Sequence, residues 1–371
     1  MKDALQSGTP SVFVVNTPSG MYPVFVDWGI LNNLGAYLLN ADIHGPVYVI
    51  SDSNVSELYV HSVEESLRSA GIDVRTYLVP AGEYTKNLAT AADIYSWLAE
   101  QRCERGHAIV ALGGGMVGDL AGFVAATFLR GVPVVQIPTS LAAMVDASIG
   151  GKTAVNLPAG KNLVGAFYQP RMVIADLNAL KTLSHRELAS GWSEAIKHGL
   201  ILDASLFQLF EDSAESLLSL ESEITTEAIR RSMAIKGGVV EKDERETTGN
   251  RILLNYGHTI GHGLEAATGY TSLLHGEAVS VGMVAAGRIS ANMGIIAEES
   301  VDRYIAVLER FGLPISSPGV NPASILEAIE LDKKSNSRKI NWVLLEDIGQ
   351  SIVRSDVPSE LVSQIVQDMC S

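Results

Sequence analysis

HAIVALGGGMVG, residues 107–118, reads as a short apolar strand that runs straight into a glycine-rich turn and then a helix. Its neighbours repeat the strand half of that pattern. PVYVISD (46–52) and VRTYLVP (74–80) precede it and VVQIPTS (134–140) follows, each an apolar run closed by Gly, Pro, Ser or Asp. Val55–Ala70 and Lys86–Cys103 lie between them with apolar residues three and four apart, the spacing of helices with one buried face. SVFVVN and YPVFVDW, joined by TPSG, add two strands at the start. Short buried strands alternating with helices predict an α/β domain with a Rossmann-like, mostly parallel sheet and helices on both faces. Such sheets bind ligands at the carboxyl ends of their strands, where Asp52, Glu83 and the glycines after Leu112 fall.

The texture changes near residue 180. From Leu183 onward the chain shows long helical periodicity, so the expected division is an α/β domain at 1–182 and an all-α domain at 183–371. INWVLLED and QSIVRSD form a candidate strand pair near the end. The 371 residues suffice for two cores, and 47% hydrophobic with 19% charged residues is ordinary for a water-soluble enzyme. The start, MKDALQSGTP, has no basic segment leading into an apolar one, and the two cysteines, Cys103 and Cys370, are far apart. A cytoplasmic protein is expected, without a membrane span. The net charge of −15 argues against a nucleic-acid partner, while a small anion can still be held where cations concentrate.

Three segments carry residue types suited to chemistry. Gly113–Gly118 matches GxGxxG, the turn that offers backbone N–H groups to a pyrophosphate; the alternative is a turn that simply packs helix on sheet. PTSLAAMVDASIGGKTAVNLPAGKN (138–162) places Lys152 and Lys161 around glycines, Asn156 and Asn162, an anion-binding composition. LNYGHTIGHGLEAATGYTSLLHGEA (254–278) holds three of the eight histidines. His258 and His262, four apart, share a helical face, and spacing alone pairs them as ligands of a metal such as zinc, with His275 a loop ligand or a bystander. The alternative is helical histidines pairing with Glu265. Glu194 and Lys197 read as a metal ligand and an anion contact, or as an i,i+3 ion pair on a solvated helix. Lys236, Arg251, Asn255 and the Lys333-Lys334 pair complete a dispersed set of anion-binding groups.

Taken together, GGGMVGDLAGFVAATFLRG, QIPTSLAAMVDASIGGKTAVNLPAGKNLVGAFYQP, SGWSEAIKHGLI, LLNYGHTIGHGLEAATGY, LLHGEAV and DKK resemble 3-dehydroquinate synthase, of the sugar phosphate cyclase superfamily, across roughly residues 46–350. The resemblance implies a Rossmann-like N-terminal domain, a helical C-terminal domain and an active site between them. It also implies a homodimer that uses NAD and a divalent metal, zinc by preference or cobalt. The implied reaction converts 3-deoxy-D-arabino-heptulosonate 7-phosphate to 3-dehydroquinate and phosphate, in the shikimate route to aromatic amino acids.

Residue by residue, the resemblance makes Glu194, His258 and His275 the metal ligands and moves His262 to the substrate phosphate. It assigns NAD to Asp52, Glu83, Lys86, Gly115, Asp119, Thr139, Ser140, Lys152, Lys161 and Thr182. Substrate falls to Arg130, Asp146, Lys152, Asn162, Lys197, Lys236, Arg251, Asn255, His262 and Lys334, with Arg130 reaching the neighbouring subunit's site. Two departures stand out: Ser140 replaces a usual threonine, and ERETTGNR carries one extra residue between Lys236 and Arg251. A valiolone-type cyclase is the nearest rival, and its substrate lacks the carboxylate that Lys236 and Arg251 would meet. A metal-dependent polyol dehydrogenase is a more distant one.

Overall fold

The computed structural model describes residues 11–336 and 340–371, with the side chains of Ser11 and residues 332–336 outside that description. Lys334 is therefore among the side chains not described. The chain divides into two compact units, Met1–Thr182 and Leu183–Ser371.

The first unit opens with a hairpin, β1 (Ser11–Thr17) and β2 (Gly20–Asp27), and a short helix α1 (Leu34–Asn40). The alternating core follows: β3 (Val47–Asp52), α2 (Ser53–Ser69), β4 (Val74–Val79), α3 (Leu88–Glu100), β5 (Ala108–Gly113), α4 (Gly115–Thr127) and β6 (Val134–Pro138). A second hairpin, β7 (Lys152–Leu157) with β8 (Gly160–Phe167), precedes β9 (Met172–Asp176). The seven-stranded sheet runs β1-β2-β9-β6-β5-β3-β4 and is parallel except where β1 meets β2. Successive side chains of its central strands enter opposite cores. Val47, Val49, Val110 and Leu112 pack with Leu34, Leu38, Val63 and Leu67 of α1 and α2 on one face. Tyr48, Ile50, Ile109 and Ala111 pack with Ile94, Leu98, Val117 and Leu120 of α3 and α4 on the other. This period of two explains why the strands read as continuous apolar runs. The strand order reverses between β3 and β5, which puts Asp52 and the glycine turn on adjacent strand ends, the usual place for a ligand in such sheets.

The second unit is built on α5 (His185–Leu202), opened by a Ser184–Glu187 capping box and buried along most of its length. It continues through α6 (Ala204–Asp212), α7 (Ala214–Leu218), α8 (Ser222–Lys242), α9 (His258–Ala267), α10 (His275–Asn292), α11 (Glu298–Arg310) and α12 (Pro322–Asn336). A hairpin of β10 (Trp342–Asp347) and β11 (Gln350–Arg354) comes before the final helix α13 (Ser359–Cys370). The unit is thus helical with one added strand pair. Trp192, Phe210 and Phe311 interlock edge to face at 5.9 Å between centroids in its core. No described helix is long and apolar enough to cross a membrane.

Candidate active site

In the first unit the glycine turn caps α4. Gly114 is the N-cap and contributes no side chain, so the first-turn N–H groups meet no competing acceptor from the cap. A Cβ on Gly113 would fall 2.6 Å from Val117, and one on Gly115 3.3 Å from Ala147, so this close fold of the chain needs glycine. Ser51 hydrogen-bonds the Leu112 carbonyl across β3 and β5, and Thr139 N–H donates to the Gly113 carbonyl. Asp52, Gly115, Thr139 and Ser140 are thereby gathered at neighbouring strand ends. Asp52 already serves its own chain: Oδ1 accepts the N–H groups of Asn54 and Val55 as the cap of α2.

Lys86 is a buried hub. Its Nζ donates to Asp119 (2.9 Å) and Asn162 (2.7 Å) and pairs with Glu83 at 3.1 Å. Burial works against its charge, but Asp119 and Glu83 outweigh it and hold the pKa above the usual lysine value. Asp146 lies in a single π-helical turn, Ala143–Ala147, a local widening that often marks functional sites. Arg130 is exposed and stands at φ +67° beside Leu129 at φ +50°, a strained pair held by Arg105 hydrogen bonds to the Leu129 carbonyl. Thr182 accepts or donates a 2.6 Å bond with Tyr59, and Lys152 and Lys161 sit at the starts of β7 and β8.

The second unit brings Glu194, His258 and His275 together, with one candidate ligand atom from each within 4.8 Å of the others. Glycines make this convergence possible. Gly276 lies so close to α5 that a Cβ would fall 1.9 Å from the Ser190 carbonyl oxygen, and its N–H donates to Ser190 Oγ. Ser190 is one helical turn before Glu194, so this contact aligns His275 with the carboxylate. Gly282 approaches the Gly257 carbonyl equally closely, and Gly257, at φ +79°, turns the chain into α9 at His258.

Both histidines are held by their Nδ1 atoms. His258 Nδ1 bonds the Tyr256 carbonyl at 3.1 Å and His275 Nδ1 bonds Glu265 at 3.3 Å. This leaves each Nε2 facing Glu194 Oε1, at 3.6 and 3.4 Å. Carbonyl and carboxylate partners on Nδ1 are the usual support for metal-ligating histidines. Glu194 is 1% exposed, with Lys197 2.5 Å from its Oε2 as an ion pair and the two imidazoles on its Oε1 side. Burial would raise its pKa, but Lys197 and the two histidines hold it well below the carboxylate range. Burial, then Lys197, pushes His258 well below the usual histidine value, keeping a lone pair available. Against burial, the bonds to Glu194 and Glu265 push His275 up to about 10. Glu194 Oε1 faces both Nε2 atoms with its charge held by Lys197, and a Glu-His-His donor set of this kind fits a zinc-like ion with an open position.

Spacing alone paired His258 with His262, whereas the structure groups His258 with Glu194 and His275. The His258 and His262 rings are 5.2 Å apart edge to face, but His262 groups with Glu265 and His275, not with Glu194. His275 starts α10; it is not on a loop. The Glu194–Lys197 pair is buried, not solvated. Lys236 and Arg251 are 5% and 3% exposed, and Asn255 is exposed. Asp243 organises the segment between them. Its carboxylate accepts the N–H groups of Thr247, Thr248 and Arg251, which closes the longer loop onto the end of α8. Burial opposes ionisation of Asp243, but these three donors bring its pKa down to about 2. Asp243 escaped sequence reasoning, whereas the pairing of a histidine with Glu265 that the sequence offered as the alternative is present, at His275.

Comparison with known proteins places these features. The 3-dehydroquinate synthase N-terminal family matches residues 76–190 and the 3-dehydroquinate synthase C-terminal family residues 191–335. A 3-dehydroquinate synthase from Pelobacter propionicus is 44% identical over 95% of this chain and 98% of its own. Among solved structures, a 2-deoxy-scyllo-inosose synthase complexed with carbaglucose-6-phosphate, NAD+ and Co2+ superposes with a TM-score of 0.87 at 28% identity, covering 97% of this chain and 100% of that one. A 2-epi-5-epi-valiolone synthase from Streptomyces hygroscopicus with NAD+ and Zn2+ bound gives a TM-score of 0.87 at 25% identity, covering 99% and 98%. Matched in both halves and along nearly its full length, the chain belongs to the 3-dehydroquinate synthase family.

Proposed function

We propose that this protein is an NAD- and metal-dependent carbon–oxygen lyase that converts 3-deoxy-D-arabino-heptulosonate 7-phosphate to 3-dehydroquinate and phosphate. The observation that carries this is identity of 44% with a curated 3-dehydroquinate synthase over 95% of the chain, against 25–28% with cyclases of other sugar phosphates. The first unit is read as the NAD-binding domain and the second as the domain for metal and substrate. Zinc, a homodimer in which Arg130 serves the neighbouring subunit, and a cytoplasmic site of action in aromatic amino acid synthesis belong to the same reading.

Bound NAD would accept a hydride from the substrate's C5 alcohol and later return it, while the metal would acidify that alcohol and polarise the resulting ketone. The protein's own groups account for the rest. The glycine-capped start of α4 offers N–H donors to the cofactor pyrophosphate, and Asp52, Glu83, Lys86, Asp119, Thr139, Ser140, Lys152, Lys161 and Thr182 surround it in this reading. Glu194, His258 and His275 would hold the metal, with Glu265 and the Tyr256 carbonyl fixing the two imidazoles. Lys197, Asn255, His262 and Lys152 would bind the phosphate, and Arg130, Asp146, Asn162 and Lys334 complete the substrate contacts. The ketone acidifies the neighbouring C–H, so phosphate leaves by β-elimination, its own oxygen taking the proton. Ring opening and aldol closure then need chiefly orientation.

In this reading Lys236 and Arg251, the latter paired with Glu246 and donating to the Glu244 carbonyl, are the groups that distinguish this reaction from that of a valiolone-type cyclase. Two buried cations suit the carboxylate of the heptulosonate, and sedoheptulose 7-phosphate has none to offer. Phosphate release should therefore be at least about 100-fold faster, per kcat/KM, with the heptulosonate phosphate than with sedoheptulose 7-phosphate. Equal turnover of both would overturn the assignment.

A further inference from the structure

Asn156, at the end of β7, carries no role in the scheme above. We infer that it is a positioning residue that closes the cofactor-binding and substrate-binding groups of the first unit into one hydrogen-bonded ring; this rests on the proposed function. Its Nδ2 donates to Glu83 Oε1 at 2.8 Å, and its Oδ1 accepts the Asn162 N–H at 2.9 Å. Lys86 completes the circuit: its Nζ donates to Asn162 Oδ1 and pairs with Glu83 Oε1, the same oxygen that Asn156 reaches. Glu83, Lys86 and Asn162 therefore hold one another through Asn156, and Asp119 is attached through Lys86.

The backbone shows how the chain accommodates this. The β7–β8 register shifts between Val155 and Leu157, so Asn156 sits at an irregularity and its N–H is turned to the Lys86 carbonyl, 2.8 Å away, instead of into the hairpin. Asn162 is held at φ +58°, a conformation that non-glycine residues adopt at some cost, and its N–H is anchored by the Asn156 side chain. A carboxamide of this length can donate to a carboxylate through its NH2 and accept from an N–H through its oxygen at the same time. Aspartate keeps the shape and the acceptor but sets a second negative oxygen against Glu83. Alanine removes both bonds.

The test compares wild type, Asn156→Ala and Asn156→Asp for NAD affinity by calorimetry without substrate, then for KM, kcat and Tm. Loss of ordering by one charge-assisted hydrogen bond predicts about a ten-fold weaker NAD affinity and a parallel rise in KM, with saturated kcat within about three-fold. Asn156→Asp should be the weaker binder of the two although it is nearly isosteric, because the carboxylates repel. A residue that merely fills the hairpin would lower Tm and leave the NAD affinity of both variants at the wild-type value, and that result overturns the inference. If the alanine variant does not fold, a folded Asn156→Asp protein with wild-type NAD affinity and KM overturns it alone. Wild type that binds NAD while the variants match it sinks only this inference; wild type that binds no NAD sinks the functional reading beneath it.

Discussion

Replacing Gly276 by alanine adds one methyl group at the point where α10 crosses α5. The new Cβ would stand 1.9 Å from the Ser190 carbonyl oxygen, 2.6 Å from its carbon and 2.7 Å from Oγ. The first two are backbone atoms inside a buried helix, so no rotamer change relieves the clash. Ordinary contact begins near 3.4 Å, so α10 must retreat by about 1.5 Å. His275 is the adjacent residue, and its Nε2 would withdraw from Glu194 by a comparable distance. Metal–ligand distances tolerate only about 0.2 Å, so zinc affinity should fall by at least about 100-fold. Overpacking of this kind also costs about 1–3 kcal/mol of stability. Gly238→Ala is the internal control: it lies within α8, and its Cβ meets nothing within 4 Å. It should keep zinc and gain up to about 1 kcal/mol from lower chain entropy. The assay is zinc content after graded exposure to a chelator, with thermal unfolding in parallel. Gly276→Ala protein that retains one zinc with wild-type affinity would refute the claim that this helix contact builds the metal site.

Other substitutions separate the roles of neighbouring residues. His275→Ala should lose zinc and activity together, whereas His262→Ala should keep stoichiometric zinc and lose turnover; metal analysis giving the reverse pattern would show the ligand set to be wrong. Glu265→Gln should weaken zinc binding by about 10- to 100-fold through looser His275 orientation, read by chelator competition, and unchanged affinity would remove Glu265 from the support of the site. Arg251→Lys should lower kcat/KM for the heptulosonate phosphate by at least about ten-fold, since lysine cannot form a bidentate pair. Asp243 has its pKa depressed to about 2 from an ordinary 3.8, so its contribution is complete above pH 4 and is lost as the pH falls towards 2. Asp243→Asn should cost roughly 1–2 kcal/mol at neutral pH, less than the full shift because the loop it holds is flanked by solvent. Denaturation curves for the two proteins should converge near pH 2, and a constant gap down to that pH would count against the linkage.

The sheet was legible because its central strands β3, β5 and β6 are buried at every position and read as largely apolar runs, while β4, at the sheet edge, is buried only at Val74 and Val79. β7 and β8 were harder: β8 is exposed at most positions, and its Gly, Lys and Asn read as a loop. The strand pair at the end of the chain could be seen in INWVLLED and QSIVRSD, and it forms β10 and β11 within the helical unit. At the candidate metal site, helical periodicity exposed the His258–His262 pair but not the grouping of His258 with Glu194 and His275. Convergence of Glu194, His258 and His275 depends on three helices approaching through Gly276, Gly282 and Gly257, and such tertiary contacts have no periodicity to read. The family resemblance named the triad where spacing did not. Burial of the Glu194–Lys197 pair was likewise hidden, because an i,i+3 pair looks the same on a solvated helix as inside a core.

The central claim is that the protein borrows oxidation by NAD to expel phosphate and then restores it. Metal-loaded protein should be incubated with the heptulosonate phosphate and NAD at no more than enzyme concentration, with phosphate and absorbance at 340 nm followed together. Phosphate should be released over many turnovers with no accumulation of NADH. One NADH formed per substrate consumed, or a requirement for stoichiometric NAD, would contradict the account and indicate an ordinary dehydrogenase.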